Sequence, residues 1–392
     1  MKDVLRLRSS RATPILAGNL LRSLTELIDA VPGGINLGQG VCDLDPPTPL
    51  VAGAVAALQG GDRQVYTPFA GLPGLRAAIA QKLRRDNGLE IEADGVVVCP
   101  GASGGLFATL LALFDPGDRI LLFEPFYSYH RTQLLLAGLV PVPVPLSGPD
   151  FAFDEAAFAR ALAQKARGLI LNTPANPSGK VFSADELAAI ARRLEGTELV
   201  VLTDEVYEYL VYDGRRHVAP ATVEGLAERA VTISSFSKTY SITGWRIGYV
   251  AGPKDLVDAV GRVADQAWVC SSRPAQRGVE RALHELPASF YTDLRVGYEA
   301  RRDRFCAALA DAGFRFQRPE GAYYVLADYR AVLGDLEPHP AALELISRVR
   351  INAVPGHVFH AEPAGVRTLR FHFAVGDAVL DEACARLRTL AR

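Results

Sequence analysis

The sequence holds one methionine and five cysteines in 392 residues. Cys42, Cys99, Cys270, Cys306 and Cys384 are scattered, odd in number and form no CxxC pair. That argues against a disulfide framework or a cysteine-built zinc site, and it fits a reducing, cytoplasmic setting. An excess of one charge is also missing. Lys and Arg number 42 against 44 Asp and Glu, for a formal net charge of −2. No electrostatic footprint for nucleic acid or an anionic membrane follows from that balance. No apolar stretch approaches the roughly 20 residues of a membrane span. The opening MKDVLRLRSSRATPIL lacks an apolar core of about 7–15 residues, so no secretory leader is expected. No Walker Gly-Lys-Ser/Thr loop is present at the glycine-rich turn 100–106, and no dinucleotide GxGxxG fingerprint follows a strand, the latter disfavouring a nicotinamide dehydrogenase. His357 and His360 make an HxxH pair, but no carboxylate or cysteine sits beside them at ligand spacing, so loop histidines are expected there.

What is present is a globular mix, 49% hydrophobic and 22% charged. The length exceeds one ordinary core, so two domains are expected. From about residue 95 to 252 the runs GVVVC, RILLF, LVPVPV, GLILN, LVVLTD, AVTIS and RIGYV alternate with helical patterns. Short continuous runs of Val, Ile and Leu read as strands covered on both faces, hence an α/β, mostly parallel, doubly wound sheet. FSADELAAIARRL carries Ser183 and Glu186 at capping-box spacing. Beyond about 274, long helical patterns and short strands such as AYYVLADY and TLRFHFAV suggest a second, α+β domain.

Several strand–helix junctions carry chemically suggestive residues. At Pro100-Gly101-Ala102-Ser103-Gly104-Gly105, small residues and a helix start offer N–H groups to a phosphate, and Ser103 is placed to cap the helix. Tyr127 follows the second strand, where an aromatic can stack on a flat ring or pack in the core. In LNTPANPSGK, prolines fix a rigid loop around Asn172 and Asn176. Asp204 ends an apolar strand, where a carboxylate needs a cationic partner: a protonated ring nitrogen or a structural arginine. Tyr207 lies three residues on. In SSFSKTYSITGWRIGY, Lys238 ends another strand, and Arg246 comes eight residues later. Ligands of open α/β sheets bind beyond the carboxyl ends of strands. A phosphate cradle, an aromatic plate, a carboxylate and a lysine there describe a pocket for a phosphorylated pyridine aldehyde held by a lysine.

NTPANPSGK, TDEVYE and SFSKTYSITGWRIGY, in that order and spacing, make the chain resemble the class I/II aminotransferases. These are pyridoxal-phosphate enzymes of the aspartate aminotransferase fold, fold type I. The likeness runs from INLGQG to LRFHFA. INLGQGVCDLDPP and YTPFAGLPGLRAAIA are most similar to the subgroup with kynurenine, glutamine and methionine aminotransferases. The resemblance implies a large cofactor-binding domain at 46–275. It implies a small domain with an N-terminal arm from 1–45 together with 276–392. It also implies a homodimer with shared active sites. By position, Lys238 matches the Schiff-base lysine that also shuttles a proton, and Asp204 the partner of the pyridine nitrogen. Tyr207 and Asn176 match donors to the ring oxygen, and Tyr127 the stacking aromatic. Ala102, Ser103, Ser235 and Arg246 match the phosphate ligands, and Tyr66 a tyrosine reaching the neighbouring subunit's phosphate. Arg370, Gly38 and Asn176 match substrate contacts, Arg370 clamping the α-carboxylate.

Two departures bear on the substrate. Ser103 supplies neither the lysine nor the tyrosine found there in some related enzymes. Arg273, in CSSRPAQ, is either a solvated charge or a group that meets an acidic side chain across the interface. The solvated reading implies neutral or aromatic amino acids passed to a 2-oxo acid. Acidic substrates, or β-elimination on the same fold, are the alternatives. A cofactor-sensing transcription regulator is disfavoured, since no DNA-binding module precedes the match.

Overall fold

The computed structural model describes residues 20–42, 44–60 and 63–391. Residues 1–19 of the expected arm lie outside the described residues. After the short β1 (Ile35–Asn36) come β2 (Val96–Cys99), β3 (Arg119–Glu124), β4 (Val140–Pro145), β5 (Gly168–Asn172), β6 (Val200–Asp204), β7 (Ala230–Ser235) and β8 (Gly248–Ala251). Each of the seven apolar runs thus contributes one strand. They form one sheet in the order β2-β8-β7-β6-β5-β3-β4. All neighbours are parallel except β8, which runs against both β2 and β7. The connection before β8 carries only turns and the one-turn helix Phe236–Thr239, too little to cross the sheet.

The alternating side-chain direction of a strand explains the two cores. Leu121, Leu169, Leu171 and Val201 face one layer with Phe158, Leu187 and Ile190. Ile120, Leu122, Ile170 and Leu202 face the other, with Leu106 and Leu110. Each such buried side chain contributes about 1.5–3 kcal/mol relative to exposure. The helix Gly101–Leu113 packs on β7, β8 and the helix Lys254–Trp268. The helix Ala184–Leu194 has the capping box its sequence announced: Ser183 accepts from the Glu186 amide, and the Glu186 carboxylate accepts from the Ser183 amide. β4 forms an edge, and its sequence VPVPVP suits one, because proline cannot serve a central strand.

A smaller layer follows: β9 (Arg315–Phe316), β10 (Tyr324–Asp328), β11 (Ile351–Asn352), β12 (Val354–Pro355) and β13 (Thr368–His372). Four of these make an antiparallel sheet, β12-β13-β10-β9, while β11 pairs in parallel with β1. Leu24, Ile28 and Leu37 share a core with Phe305, Leu345, Phe371 and Leu380. Residues from both ends of the chain therefore build this layer together.

Two local expectations change. The helix at 101 is preceded by Pro100 and has no side-chain cap, so Ser103 sits inside the first turn rather than at its cap. Lys238 is not the last residue of β7. It lies on the helix Phe236–Thr239, where the Ser235 hydroxyl accepts from the Ser237 amide and turns the backbone out of the sheet.

Candidate active site

A cavity of about 420 Å³ opens at the carboxyl ends of β5, β6 and β7, between the large sheet and the small one. Asp204, Lys238, Arg246 and Arg370 bring four charged side chains to its wall, with Tyr127 and Tyr207 beside them.

Asp204 forms the acidic floor. Its Oδ2 lies 2.8 Å from Nε2 of His130, which is 2% exposed. A buried carboxylate is costly without partners, and the helix Ser128–Leu136 supplies this one. Asn172 locks the adjacent backbone. Its Nδ2 donates to the Asp204 carbonyl at 2.9 Å, and its Oδ1 accepts from the Asn176 amide at 2.8 Å. The Pro-rich loop is thereby tied to β6.

Lys238 projects from its short helix across the cavity. Its Nζ donates to the Gly40 carbonyl at 2.9 Å and stands 5.6 Å from the centre of the Tyr323 ring. Tyr323 also donates to the Gly40 carbonyl, at 3.0 Å. An uncharged acceptor leaves the amine available to a ligand, since no strong ion pair must be broken to free it.

The cationic end lies at the start of the helix Gly101–Leu113. Gly101 has φ +75°, and a Cβ there would come 2.5 Å from Nη2 of Arg246. Glycine thus lets the guanidinium lie against the helix start, where Nη2 donates to the Pro100 carbonyl at 3.3 Å. The Ser235 hydroxyl lies 2.8 Å from that of Ser237. Free N–H groups, two hydroxyls and an arginine make an anion site.

Arg370 enters from β13. It is 1% exposed, yet Nη1 donates to the Asn176 side-chain carbonyl at 2.8 Å and Nη2 to the Gly38 carbonyl at 2.7 Å. Nε is buried without a partner. The Tyr324 and Phe359 rings flank the guanidinium at 4.3 and 5.0 Å. A guanidinium held by neutral groups is suited to take up a carboxylate from a ligand. Tyr207 donates to the Tyr324 hydroxyl at 3.1 Å. Burial, and next the neighbouring Tyr324, push the Tyr207 phenol well above its ordinary value, so it stays protonated.

Of the residues singled out in the sequence, Ala102, Ser103, Tyr127, Asn176, Asp204, Tyr207, Ser235, Lys238, Arg246 and Arg370 line this one cavity. Gly38 stands behind it, with its amide donating to Asn36 Oδ1 at 3.1 Å and its carbonyl taken by Arg370. Tyr66 is 80% exposed and lies outside the cavity. Arg273 donates to the Val65 and Tyr66 carbonyls, each at 3.3 Å, and also lies outside. His130, Gln133 and Tyr324 also stand on the wall, where nothing in the sequence marked them. His130 and Gln133 read as one helical stripe in SYHRTQLLLAG, and Tyr324 as a residue of a small-domain strand. His357 and His360 do not gather into a metal site: among the described residues no cluster of His, Cys, Asp and Glu could hold a metal. His360 instead lies 3.3 Å from Glu124.

The donor set suits a flat, phosphorylated heteroaromatic aldehyde. It offers an amine for the aldehyde, an acid for a ring nitrogen, phenol and amide groups for a ring oxygen, and an anion cradle at the far end.

Fold and site thus define an α/β protein whose cavity sets an amine, a carboxylate and two guanidinium groups around one space. The sequence profile of the family Aminotransferase class I and II matches residues 32–387, and the chain belongs to that family. It is an aminotransferase of the aspartate aminotransferase fold. The probable N-succinyldiaminopimelate aminotransferase DapC of Mycobacterium tuberculosis is 39% identical over 371 residues, covering 92% of this chain and 93% of that protein. The methionine aminotransferase of Escherichia coli is 34% identical, covering 91% and 92%. The solved structure of N-succinyldiaminopimelate aminotransferase from M. tuberculosis superposes with a TM-score of 0.92 at 39% identity, covering 98% of this chain and all of that one.

Proposed function

We propose that this aminotransferase works with pyridoxal 5′-phosphate held at Lys238 in the cavity between the two sheets. It would move an amino group from an L-amino acid to a 2-oxo acid in a ping-pong cycle. The observation that carries this reading is the convergence of Lys238, Asp204, the Arg246 cradle and Arg370 on one cavity of about 420 Å³. The cofactor, when bound, supplies an aldehyde that takes up amino groups and a protonated pyridine ring that draws electrons from the substrate α-carbon.

The chain's own residues do the rest. Lys238 Nζ would hold the cofactor's aldehyde and, as a free amine, would serve as the base that moves the α-carbon proton. The Asp204 carboxylate, oriented by His130, keeps the ring-nitrogen proton in place. Tyr207 and Asn176 bind the ring oxygen, and Tyr127 covers the ring. Ser235, Arg246 and the amides at Ala102 and Ser103 bind the phosphate. Arg370 clamps the α-carboxylate beside Asn176 and Gly38.

A large domain at 46–275 and a small one from 1–45 with 276–392 would close over the substrate. A homodimer would place the exposed Tyr66 against the neighbour's phosphate. The setting would be cytoplasmic; among the described residues no helix is long and apolar enough to cross a membrane.

Arg273 spends its hydrogen bonds on the Val65 and Tyr66 carbonyls, which supports neutral or aromatic donors. Acidic substrates are the second reading, favoured by the N-succinyldiaminopimelate enzyme among the relatives. Spectra of the cofactor-loaded enzyme, taken with single amino acids and no acceptor, test both readings. The visible band is expected to fade with neutral or aromatic donors. Fading with acidic donors alone would overturn the substrate preference, and no band at all would overturn the role of Lys238.

A further inference from the structure

Tyr324 opens β10 and is 3% exposed, yet it lines the cavity. Three contacts meet on it. Its hydroxyl accepts from Tyr207 at 3.1 Å. Its ring lies 4.3 Å beneath the Arg370 guanidinium. The hydroxyl also fills the space over Gly40, where a Cβ would come within 2.0 Å of it. The last contact makes glycine obligatory at 40, next to the carbonyl that receives Lys238. The small sheet produces this meeting point. Tyr324 pairs with His372 and Leu326 with Arg370, so Tyr324 and Arg370 are diagonal neighbours on one face.

We propose that Tyr324 is a positioning residue for Tyr207: its hydroxyl holds the Tyr207 proton in the free site and donates back to Tyr207 once a ligand oxygen takes that proton's hydrogen bond. The inference rests on the reading that Tyr207 serves the cofactor ring oxygen. A phenol has one proton to give. In this structure Tyr207 gives it to Tyr324. To serve a ligand oxygen, Tyr207 must turn its proton away. Its own oxygen then becomes free to accept, and the group in place to donate is Tyr324. A hydroxyl that accepts a hydrogen bond becomes a stronger donor. Tyr324 thereby strengthens the bond Tyr207 makes, while its ring holds Arg370 for the substrate carboxylate.

Tyr324→Phe isolates the effect, because it keeps the ring under Arg370 and removes only the hydroxyl. With a weaker bond from Tyr207, the ring oxygen attracts the proton on the Lys238 nitrogen more strongly, and a higher pH is needed to remove it. The groups facing the pair are Tyr127, Tyr323, Asp204, Lys238 and Arg370, and all remain in the variant.

The experiment is a pH titration of the visible absorbance of the pyridoxal-phosphate-loaded enzyme. Tyr324→Phe is expected to raise the midpoint by about half a pH unit or more, with the KM for the amino acid within about twofold. Tyr207→Phe is expected to raise it further. The double variant is expected to match Tyr207→Phe alone, since Tyr324 acts through Tyr207. An unchanged midpoint in Tyr324→Phe, or shifts that add in the double variant, overturns the proposal while leaving the cofactor reading intact. Absence of any visible band in the unsubstituted enzyme overturns the cofactor reading and this proposal with it.

Discussion

Two adjacent carboxylates at the end of β6 each meet a histidine. Asp204 Oδ2 lies 2.8 Å from His130 Nε2, and Glu205 Oε2 lies 2.7 Å from His217 Nε2. The pairs are chemically alike, but their settings are not. Asp204 keeps 12% of its side chain open and lines the cavity, whereas Glu205 is fully enclosed. Thr203 and Thr232 also donate to Glu205 Oε1, at 2.6 and 3.2 Å. One residue of extended chain, at the point where β6 ends and successive side chains take opposite directions, separates an acid that can meet a ligand from one that braces the sheet. Residue type and pairing do not distinguish a reactive group from a structural one here; the face it occupies does.

That contrast can be broken most sharply at Asp204. Asp204→Asn is expected to lower kcat by about 100- to 1000-fold, the scale of removing one preorganised charge from a reacting site. The melting temperature should move little. Glu205→Gln should do the reverse. It should lose about 1–3 kcal/mol of stability to denaturant, because one of the two oxygens facing Thr203, Thr232 and His217 becomes an amide nitrogen that cannot accept, while turnover of the loaded enzyme holds. Comparable losses of turnover in both variants would erase the distinction.

The histidines carry the comparison one step outward. His130→Phe is expected to cost about tenfold in kcat, the worth of one hydrogen bond to a charged group. His217→Phe should leave kcat unchanged.

A further histidine, His372, which is buried as His130 is, sharpens the contrast, since its hydrogen bonds go to backbone rather than to a carboxylate. His372 Nε2 faces the Asn36 carbonyl, and Nδ1 accepts from the Ala374 amide. Burial, then the nearby Arg370 charge, lowers its pKa from 6.5 to about 3. The unfolded chain therefore binds the extra proton first. Stability should fall as pH drops from 6.5 towards 3, by up to about 1.4 kcal/mol per pH unit for this one group. His372→Gln should flatten that slope in denaturation curves recorded across the window. An unaltered slope would mean that other groups carry it.

Much of this was legible in the sequence, for identifiable reasons. Strands covered on both faces write themselves as continuous apolar runs, so GLILN and LVVLTD gave their positions away. The capping box at Ser183 is a local device and reads locally. The reversal of β8 did not read, because RIGYV looks the same in either direction and only the short connection decides. Asp204 was expected to need a cationic partner, yet His130 stands 74 residues away on another element. No spacing rule links the two. Tyr324 escaped notice because a tyrosine in AYYVLADY is indistinguishable from core until β10 is laid beside β13.

The proline strand at the sheet's edge has a consequence for the whole molecule. The amides of Val140 and Leu146 point inward to the carbonyls of Asp118 and Glu124. The alternate positions, Pro141, Pro143 and Pro145, face the open side. Those positions have no N–H to offer. A stray strand approaching this flank, from another molecule or a partly folded neighbour, finds no row of donors to pair with. The sheet is blunted at the border where it would otherwise be most adhesive, so a crowded solution of this enzyme has one route to edge-to-edge stacking closed by its own sequence.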